Sequence, residues 1–254
     1  MSYNIVADLH THTLGSSTGF STLTENLDFA VQNALKCIAV TDYGPKFDSS
    51  KKEKLLSQQR YLPKSYKGVR IFKGVESNIL DLHTGKLDLD SETLSKFDWV
   101  IASYHKISDY DEKIISNAVM DNMIKKVILN PCVMMLGHIE RYAMLHDIKP
   151  IIQSAKENGK VIEINEACFN NPEQIARLKQ IVSLCKETAA PICVTSNAHL
   201  SYQVGVFTNS KRLLEDLNFP ATLIINSDMD VLNSYLSNFY KLRDNSLLKT
   251  KRNY

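Results

Sequence analysis

Short apolar runs alternate with amphipathic helical segments along nearly the whole chain. Several runs are almost continuously hydrophobic, which is typical of parallel strands covered on both faces. The predicted strands are NIVADL, KCIAVTD, VRIFKGVE, DWVIASY, CVMMLG, KVIEIN and PICVTS, with ATLIIN as a candidate eighth. Repeated βα units in this number favour a barrel, with a doubly wound open sheet as the alternative. The Gly-rich phosphate-binding fingerprint of nucleotide-binding open sheets is missing, which favours the barrel.

Polar residues mark the ends of the predicted helices. Thr22 and Glu25 form a capping box before an apolar face that consists of Leu27, Ala30, Val31, Ala34 and Leu35. Pro150 suits the first turn of a helix, and Asn171 precedes another. The polar stretch at about 46–67 is the one long interruption. We expect it to be a surface excursion, partly helical, inserted in a βα connection.

Length and composition are those of one globular domain over residues 1–254. The 254 residues are 44% hydrophobic and 23% charged, so a large core can form without disulfides. A net charge of +2 is too small to indicate nucleic-acid binding. The basic carboxy-terminal tail at about 241–254 is expected to be a solvated end.

The cysteines indicate a reducing compartment. There are five of them, without CxxC spacing, and most lie inside apolar runs, as buried small hydrophobic side chains do. Neither a signal peptide nor a membrane-spanning run is recognisable. We therefore expect a cytoplasmic protein without a membrane partner.

Chemistry-bearing side chains follow the predicted strands one after another. In a parallel barrel, the active site is built at the carboxyl ends of the strands. Five of the seven histidines lie at such ends, together with acidic and amide residues; the exceptions are His83 and His146, which we expect at the surface. Imidazole and carboxylate ligands suit zinc, manganese or iron, whereas magnesium and calcium prefer oxygen. The pattern predicts a metal site, with Glu76 placed to bridge two ions.

Six motifs in this order and spacing carry a family resemblance: DLHTHT, AVTDYGP, KGVESNI, ASYHK, LGHIER and VTSNAH. They resemble the PHP (polymerase and histidinol phosphatase) superfamily, above all its free-standing bacterial phosphatases. The resemblance runs from about Asn4 to beyond His199. It implies a distorted (β/α)7 TIM-like barrel and up to three metal ions that hydrolyse phosphoesters. By position, the ligands would be His10, His12 and Glu76 for the first ion, Glu76, His105 and His138 for the second, and His199 for the third.

Three departures from the family pattern weaken this metal cluster. Tyr43 and Thr18 stand where the trinuclear branch has histidines, and Asn197 stands where it has an aspartate, so that a neutral amide oxygen remains as ligand. Three dications need negative charge nearby, which this chain has in part lost. We therefore expect two ions at most in high occupancy.

The remaining site residues are assigned supporting roles. Asp8 and Asp42 are expected to orient metal-binding imidazoles, and Tyr43 to fill the space of the missing ion. Arg141 and Lys106 are candidates for binding the substrate phosphate. Glu76 as the bridge, Arg141 on the phosphate and His199 as a candidate leaving-group acid would form the catalytic set.

The leading hypothesis is a metal-dependent phosphoesterase that hydrolyses a small phosphate monoester by a metal-activated water. One alternative is a PHP-type nuclease, which the near-neutral charge disfavours. The other is a catalytically degenerate barrel that binds a phosphorylated ligand or a partner, because ligands have been lost. Substrate, metal identity and oligomeric state are not encoded in any recognisable motif.

Overall fold

Seven parallel strands form the sheet of this protein. The computed structural model describes residues 3–46, 49–105 and 116–252. The strands pair in the order β1 (Ala7–Thr11), β2 (Cys37–Val40), β4 (Val69–Asn78), β5 (Trp99–Ser103), β6 (Met135–Leu136), β7 (Val161–Asn165) and β8 (Ile192–Thr195). A short strand β3 (Ser65–Tyr66) pairs antiparallel with β4. The predicted seven-stranded TIM-like barrel is confirmed, and its consecutive strand order excludes the doubly wound sheet.

Helices occupy the connections between the strands, and their ends follow the predicted signals. They are α1 (Leu23–Gln32), α2 (Ser49–Arg60), α3 (Ser91–Leu94), α4 (Asn117–Ile128), α5 (Ile148–Glu157), α6 (Pro172–Thr188), α7 (Thr208–Asp216) and α8 (Met229–Arg252). The capping box at Thr22 is present, and Asn171 accepts hydrogen bonds from the first turn of α6. None of the helices in the described ranges is long and apolar enough to cross a membrane.

The polar stretch at 46–67 is part of the barrel rather than an insertion. It contains α2, which is the crossover helix between β2 and β4. Leu55 is buried, and the Gln59 amide donates to the Gly74 carbonyl at 3.1 Å.

The apolar face predicted for α1 extends beyond the end of the helix, because α1 ends at Gln32 and Ala34 has a left-handed φ of 56°.

The carboxy-terminal helix closes the bottom of the barrel. Leu232, Leu236 and Phe239 of α8 pack with Trp99 and other side chains of the barrel interior. The hydroxyl of Tyr240 donates to the carbonyl of Asp98, which precedes β5. The basic tail at about 241–254 continues α8 as far as Arg252, and most of its side chains between 241 and 248 are exposed.

The first and last strands meet at a seam that a side chain completes. The predicted eighth strand ATLIIN is wrong: its first part is a 3-10 turn, Ala221–Leu223. At its end, the Asn226 amide donates to Ala7 O and Val194 O at 2.7 Å and accepts from Val194 N at 3.1 Å. Above it, the N–H of His12 donates to Ala198 O at 2.8 Å. The backbone of this segment also bonds to both sides, since Ile225 N–H donates to Ile192 O and Val6 N–H donates to Asn226 O, each at 2.9 Å, so side chain and backbone together bridge the seam.

Candidate metal centre

Glu76 is the centre of the site at the carboxyl ends of the strands. Its carboxylate is fully buried, and four imidazoles from three other strand ends surround it. His10 and His12 lie two residues apart on extended backbone, so both side chains point to the same side. The Nε2 atoms lie 3.1 Å (His10) and 3.2 Å (His12) from Oε2 of Glu76, and 2.8 Å (His138) and 3.5 Å (His105) from its Oε1.

The protonation pattern of His10 is fixed by a buried carboxylate beneath it. Nδ1 of His10 lies 2.6 Å from Oε1 of Glu163. Burial disfavours a charge on the imidazole, but the carboxylates of Glu163 and Glu76 outweigh it and raise the pKa of His10 to about 10. An ionised carboxylate only accepts hydrogen bonds, so Nδ1 carries the proton. The second ring proton is then on Nε2, and a metal ion bound there would displace it and take the lone pair.

A two-step chain fixes the tautomer of His12 in the same way. Nδ1 of His12 lies 2.9 Å from the Ser16 hydroxyl, which donates its own proton to Oδ1 of Asp42 at 2.8 Å. With its proton committed to a carboxylate, Ser16 can only accept from His12. Asp42 thus orients a metal-binding imidazole through Ser16, which agrees with the role predicted for it.

The third imidazole, His105, is oriented by Asn78. Nδ1 of His105 lies 3.0 Å from Oδ1 of Asn78, whose amide nitrogen donates to Asp88 at 2.6 Å. Because the Asp88 carboxylate needs the amide nitrogen on its side, the amide oxygen faces His105 and accepts from Nδ1. Nε2 of His105 then presents its lone pair to Glu76.

Once the second ring proton of His10 is displaced, the three oriented imidazoles and Glu76 form a set of acceptors, which a metal ion satisfies. Nε2 of His10 and Nε2 of His12 face each other at 3.2 Å, so either a proton or a metal ion has to lie between their lone pairs. Two overlapping groups have ligand atoms within 4.8 Å of one another: His10, His12 and Glu76, and Glu76, His105 and His138. This nitrogen and carboxylate set fits zinc, manganese or iron.

Two other predicted ligands, Asn197 and His199, follow β8. Oδ1 of Asn197 is buried without a hydrogen-bond partner in the described part of the chain, as a free ligand atom would be. The ring of His199 stacks on His12 with a centroid distance of 4.5 Å. Its Nδ1 lies 3.0 Å from the Thr18 hydroxyl. Tyr43 packs against the rings of both His12 and His105.

Asp8 does not have the role predicted for it. Its carboxylate accepts from the backbone N–H groups of Ser196 at 3.1 Å and Gly205 at 2.9 Å. These bonds tie β1 to the segment after β8, so Asp8 stabilises the seam rather than an imidazole. Glu163 orients His10 instead.

Arg141 lies at the edge of the site, and Lys106 is outside the described residues. Nε of Arg141 is 3.8 Å from Oε1 of the buried Glu140, and a third of the Arg141 side chain is exposed. Its positive charge contributes to the lowered pKa of both His105 and His199, behind the larger effect of burial. His83 and His146 are exposed, as predicted.

Sequence reasoning missed Glu163, Ser16 and Asn78. The signal for Glu163 was available: a carboxylate inside the apolar run KVIEIN must be paired if the run is a buried strand. The hydroxyl of Ser16 and the amide of Asn78 gave no such signal, because both residue types are common in loops and turns.

Comparisons with known proteins agree with this architecture. The PHP domain profile matches residues 8–167. A Caldanaerobacter subterraneus subsp. tengcongensis protein named "Probable phosphatase" is 36% identical over 242 residues, 93% of this chain and 92% of the relative. An Acetivibrio thermocellus protein with the same name is 32% identical over 232 residues, 91% and 95% of the two chains.

A crystal structure of lower sequence identity shows the same fold. It is the histidinol phosphate phosphatase from Lactococcus lactis subsp. lactis, complexed with zinc, L-histidinol and phosphate. The TM-score is 0.58 at 16% identity, and the match covers 84% of this chain and 94% of that chain. This chain therefore belongs to the PHP domain family and is a metal-dependent hydrolase similar to that family's free-standing bacterial phosphatases.

Proposed function

We propose that this protein hydrolyses a small phosphate monoester at a two-ion centre. The observation that carries the proposal is the pair of ligand groups that share Glu76 at the carboxyl ends of the strands. The names of the bacterial relatives, and the zinc and phosphate in the Lactococcus lactis structure, support the same chemistry.

Some of the site residues would hold the ions, and others would orient the imidazole ligands. His10, His12 and Glu76 would hold one ion, with Asn197 as a neutral oxygen ligand, and Glu76, His105 and His138 would hold the other. Bound ions supply an activated water and positive charge for the phosphate oxygens. Glu163, Ser16 and Asn78 would keep the Nδ1 protons of His10, His12 and His105 in place, so that each Nε2 is directed at its ion and a metal ion displaces only a proton on Nε2.

The leaving group would occupy a cavity beside His105. The cavity has a volume of about 440 Å³, and its walls include Leu14, Thr18, Tyr43, Pro45 and Asn78. Such a space suits a small organic group better than a polymer. Arg141 is proposed to bind the phosphate group of the substrate, and Lys106 remains a candidate for the same role.

An activity screen with one matched control tests this function. The protein is loaded with manganese, zinc or iron and assayed on a phosphomonoester panel and on short oligonucleotides. We expect turnover of monoesters that is lost in His10→Ala and retained in His83→Ala, because His83 is exposed and outside the site. Turnover of oligonucleotides alone would favour a nuclease, and inactivity with every metal would favour a degenerate barrel.

We also propose that the protein works in the cytoplasm. All five cysteines are free and buried, as is usual in a reducing compartment. Detection of the protein in the cytoplasmic fraction of its host, with all thiols titratable after unfolding, is the expected result.

A further inference from the structure

The third position of the metal cluster is the place where this chain departs from its family. The three residues that stand there are Thr18, Tyr43 and His199. The structure brings them together: Nδ1 of His199 lies 3.0 Å from the Thr18 hydroxyl, which also interacts with the hydroxyl of Tyr43. In the described part of the chain, histidine, cysteine and acidic side chains come together in groups of three only in the two clusters that share Glu76.

The contacts of His199 differ in kind from those of the other imidazoles. His10 and His12 are backed by carboxylates, directly or through Ser16, which fixes their Nε2 atoms as acceptors. His199 is backed by Thr18, and a hydroxyl can either donate or accept. This neutral pair is therefore satisfied without a cation, whereas the facing lone pairs at Glu76 are not.

Several further contacts fix the position of His199. Its ring is nearly parallel to that of His12, with an interplanar angle of 5° and a centroid distance of 4.5 Å. Its carbonyl accepts from the N–H of Phe20 at 2.9 Å, and its own N–H donates to the Gln203 side chain at 3.0 Å. Within the described ranges, Nε2 of His199 has no hydrogen-bond partner. The ring is thus held on one edge and open on the other.

We propose that the third position binds no metal ion, and that Thr18 is a positioning residue that holds His199 with its Nε2 free to contact the substrate phosphate. The hydroxyls of Thr18 and Tyr43 stand in place of two imidazole ligands, and neutral hydroxyls are weak ligands for zinc or manganese, so the third position does not fit a dication. His199 then contributes a hydrogen bond to a phosphate oxygen rather than a ligand to an ion. The contact between His199 and the substrate phosphate rests on the proposed function. The absence of a third ion and the positioning of His199 by Thr18 do not.

Metal stoichiometry tests the absence of the third ion. Wild-type protein is equilibrated with zinc or manganese, desalted and analysed by elemental mass spectrometry. We expect two ions per chain. The double variant T18H/Y43H restores the imidazoles of the three-ion relatives beside His199, and we expect it to hold a third ion. Three tightly held ions in the wild type, or two in a folded double variant, would overturn the proposal.

The positioning role of Thr18 has its own readout. In Thr18→Val we expect the side-chain 15N shift of His199 Nδ1 to change, and kcat to fall about fivefold, the loss that corresponds to one net hydrogen bond. KM and metal content should stay within about twofold of wild type. Thr18→Ser should restore both readouts, and the isosteric control Thr24→Val, at an exposed position of α1, should change neither.

The outcomes separate this inference from the proposed function. An unchanged His199 spectrum in Thr18→Val would overturn the positioning role even if the enzyme turns over monoesters. If no monoester is turned over, the proposed function fails, but the metal count and the His199 spectrum still decide the structure of the third position.

Discussion

At the scale of single residues, the site is organised by the side chains that accept hydrogen bonds from the Nδ1 atoms of the imidazoles. Glu163 accepts from Nδ1 of His10, and its second oxygen accepts from the backbone N–H of His138. The hydroxyl of Thr195 also donates to Glu163 at 2.6 Å. One buried carboxylate therefore connects β7 to a ligand of each ion. Such a group sets the direction and the basicity of its ligand without touching the metal.

Replacing this carboxylate should weaken metal binding without unfolding the barrel. In Glu163→Gln, the charge that favours a proton on Nδ1 of His10 is lost, and the amide no longer fixes the tautomer. We expect metal affinity to fall by about 10- to 100-fold, measured by competition with a chromophoric chelator. Asp8→Asn is the matched control, since Asp8 is also buried in the barrel but accepts hydrogen bonds from the segment after β8 and not from an imidazole. Equal losses of affinity in both variants would contradict this role.

At the scale of the elements, the barrel depends on a seam that β1 and β8 do not close alone. Asn226 is fully buried and makes three hydrogen bonds to the backbone of these strands. The metal ligands of β1 lie directly above this seam, so its geometry positions His10 and His12. The Asn226 side chain thus adds to the backbone bonds that its segment makes on both sides of the seam.

Removing this side chain should cost a large part of the stability. In Asn226→Ala, three buried backbone groups lose their partners, at about 1 kcal/mol or more each. We expect the free energy of unfolding to fall by about 3 kcal/mol in urea titrations. Asn158→Ala is the control: Asn158 is partly buried, and its amide makes one local bond to Ser154 O at 2.9 Å. A loss below about 1 kcal/mol in Asn226→Ala would show that the seam is closed by other contacts.

At the scale of the whole molecule, charge is buried at both ends of the barrel. At the top, acceptors converge on Glu76. At the bottom, the Lys160 ammonium donates to Asn130 O at 2.8 Å and lies over the Phe239 ring. In the described ranges, no carboxylate pairs with Lys160. We therefore expect the stability of the fold to depend on metal ions through the upper end of the barrel and on pH through Lys160 at the lower end.

Metal removal should lower the thermal stability of the whole chain. A chelator leaves the lone pairs around Glu76 without a counter-charge. At free ion concentrations about 1,000-fold above Kd, one ion contributes about 4 kcal/mol, which corresponds to a rise in Tm of roughly 10 °C. We expect that shift on adding metal to the stripped wild type, measured by calorimetry. His10→Ala should show a much smaller shift, and an equal shift would place the stabilising ion elsewhere.

The buried lysine should make stability increase with pH. Burial lowers the pKa of Lys160 to about 8, below its ordinary value of 10.5. Between these values the unfolded chain binds the extra proton, so stability rises with pH. Lys160→Met removes this dependence: the advantage of the variant over wild type should be on the order of 2 kcal/mol larger at pH 7 than at pH 10.

The control for this prediction is an exposed lysine with the same type of bond. Lys156 also donates to a backbone carbonyl, Thr188 O, at 2.8 Å, but its side chain lies at the surface. Lys156→Met should therefore shift stability equally at pH 7 and pH 10. A pH-independent effect of Lys160→Met in urea titrations would show that its ammonium is not destabilised in the folded chain.

The pattern of the chain by itself determined the barrel, the strands and the residues at their ends. Period and capping are local properties, and carboxyl ends of parallel strands converge whatever the details of packing. For this reason Glu76 and the four histidines around it could be named in advance. The capping box at Thr22 was predictable for the same reason.

Only the tertiary structure decided which side chains hydrogen-bond to those imidazoles and how the barrel closes. Asp8 and Glu163 are both carboxylates in apolar runs, and only the packing of β1 against β8 and β7 shows which one meets an imidazole. Asn226 closes the seam although its segment has the pattern of a strand. Hydrogen bonds between residues far apart in sequence depend on distance and direction in space, which no local pattern encodes.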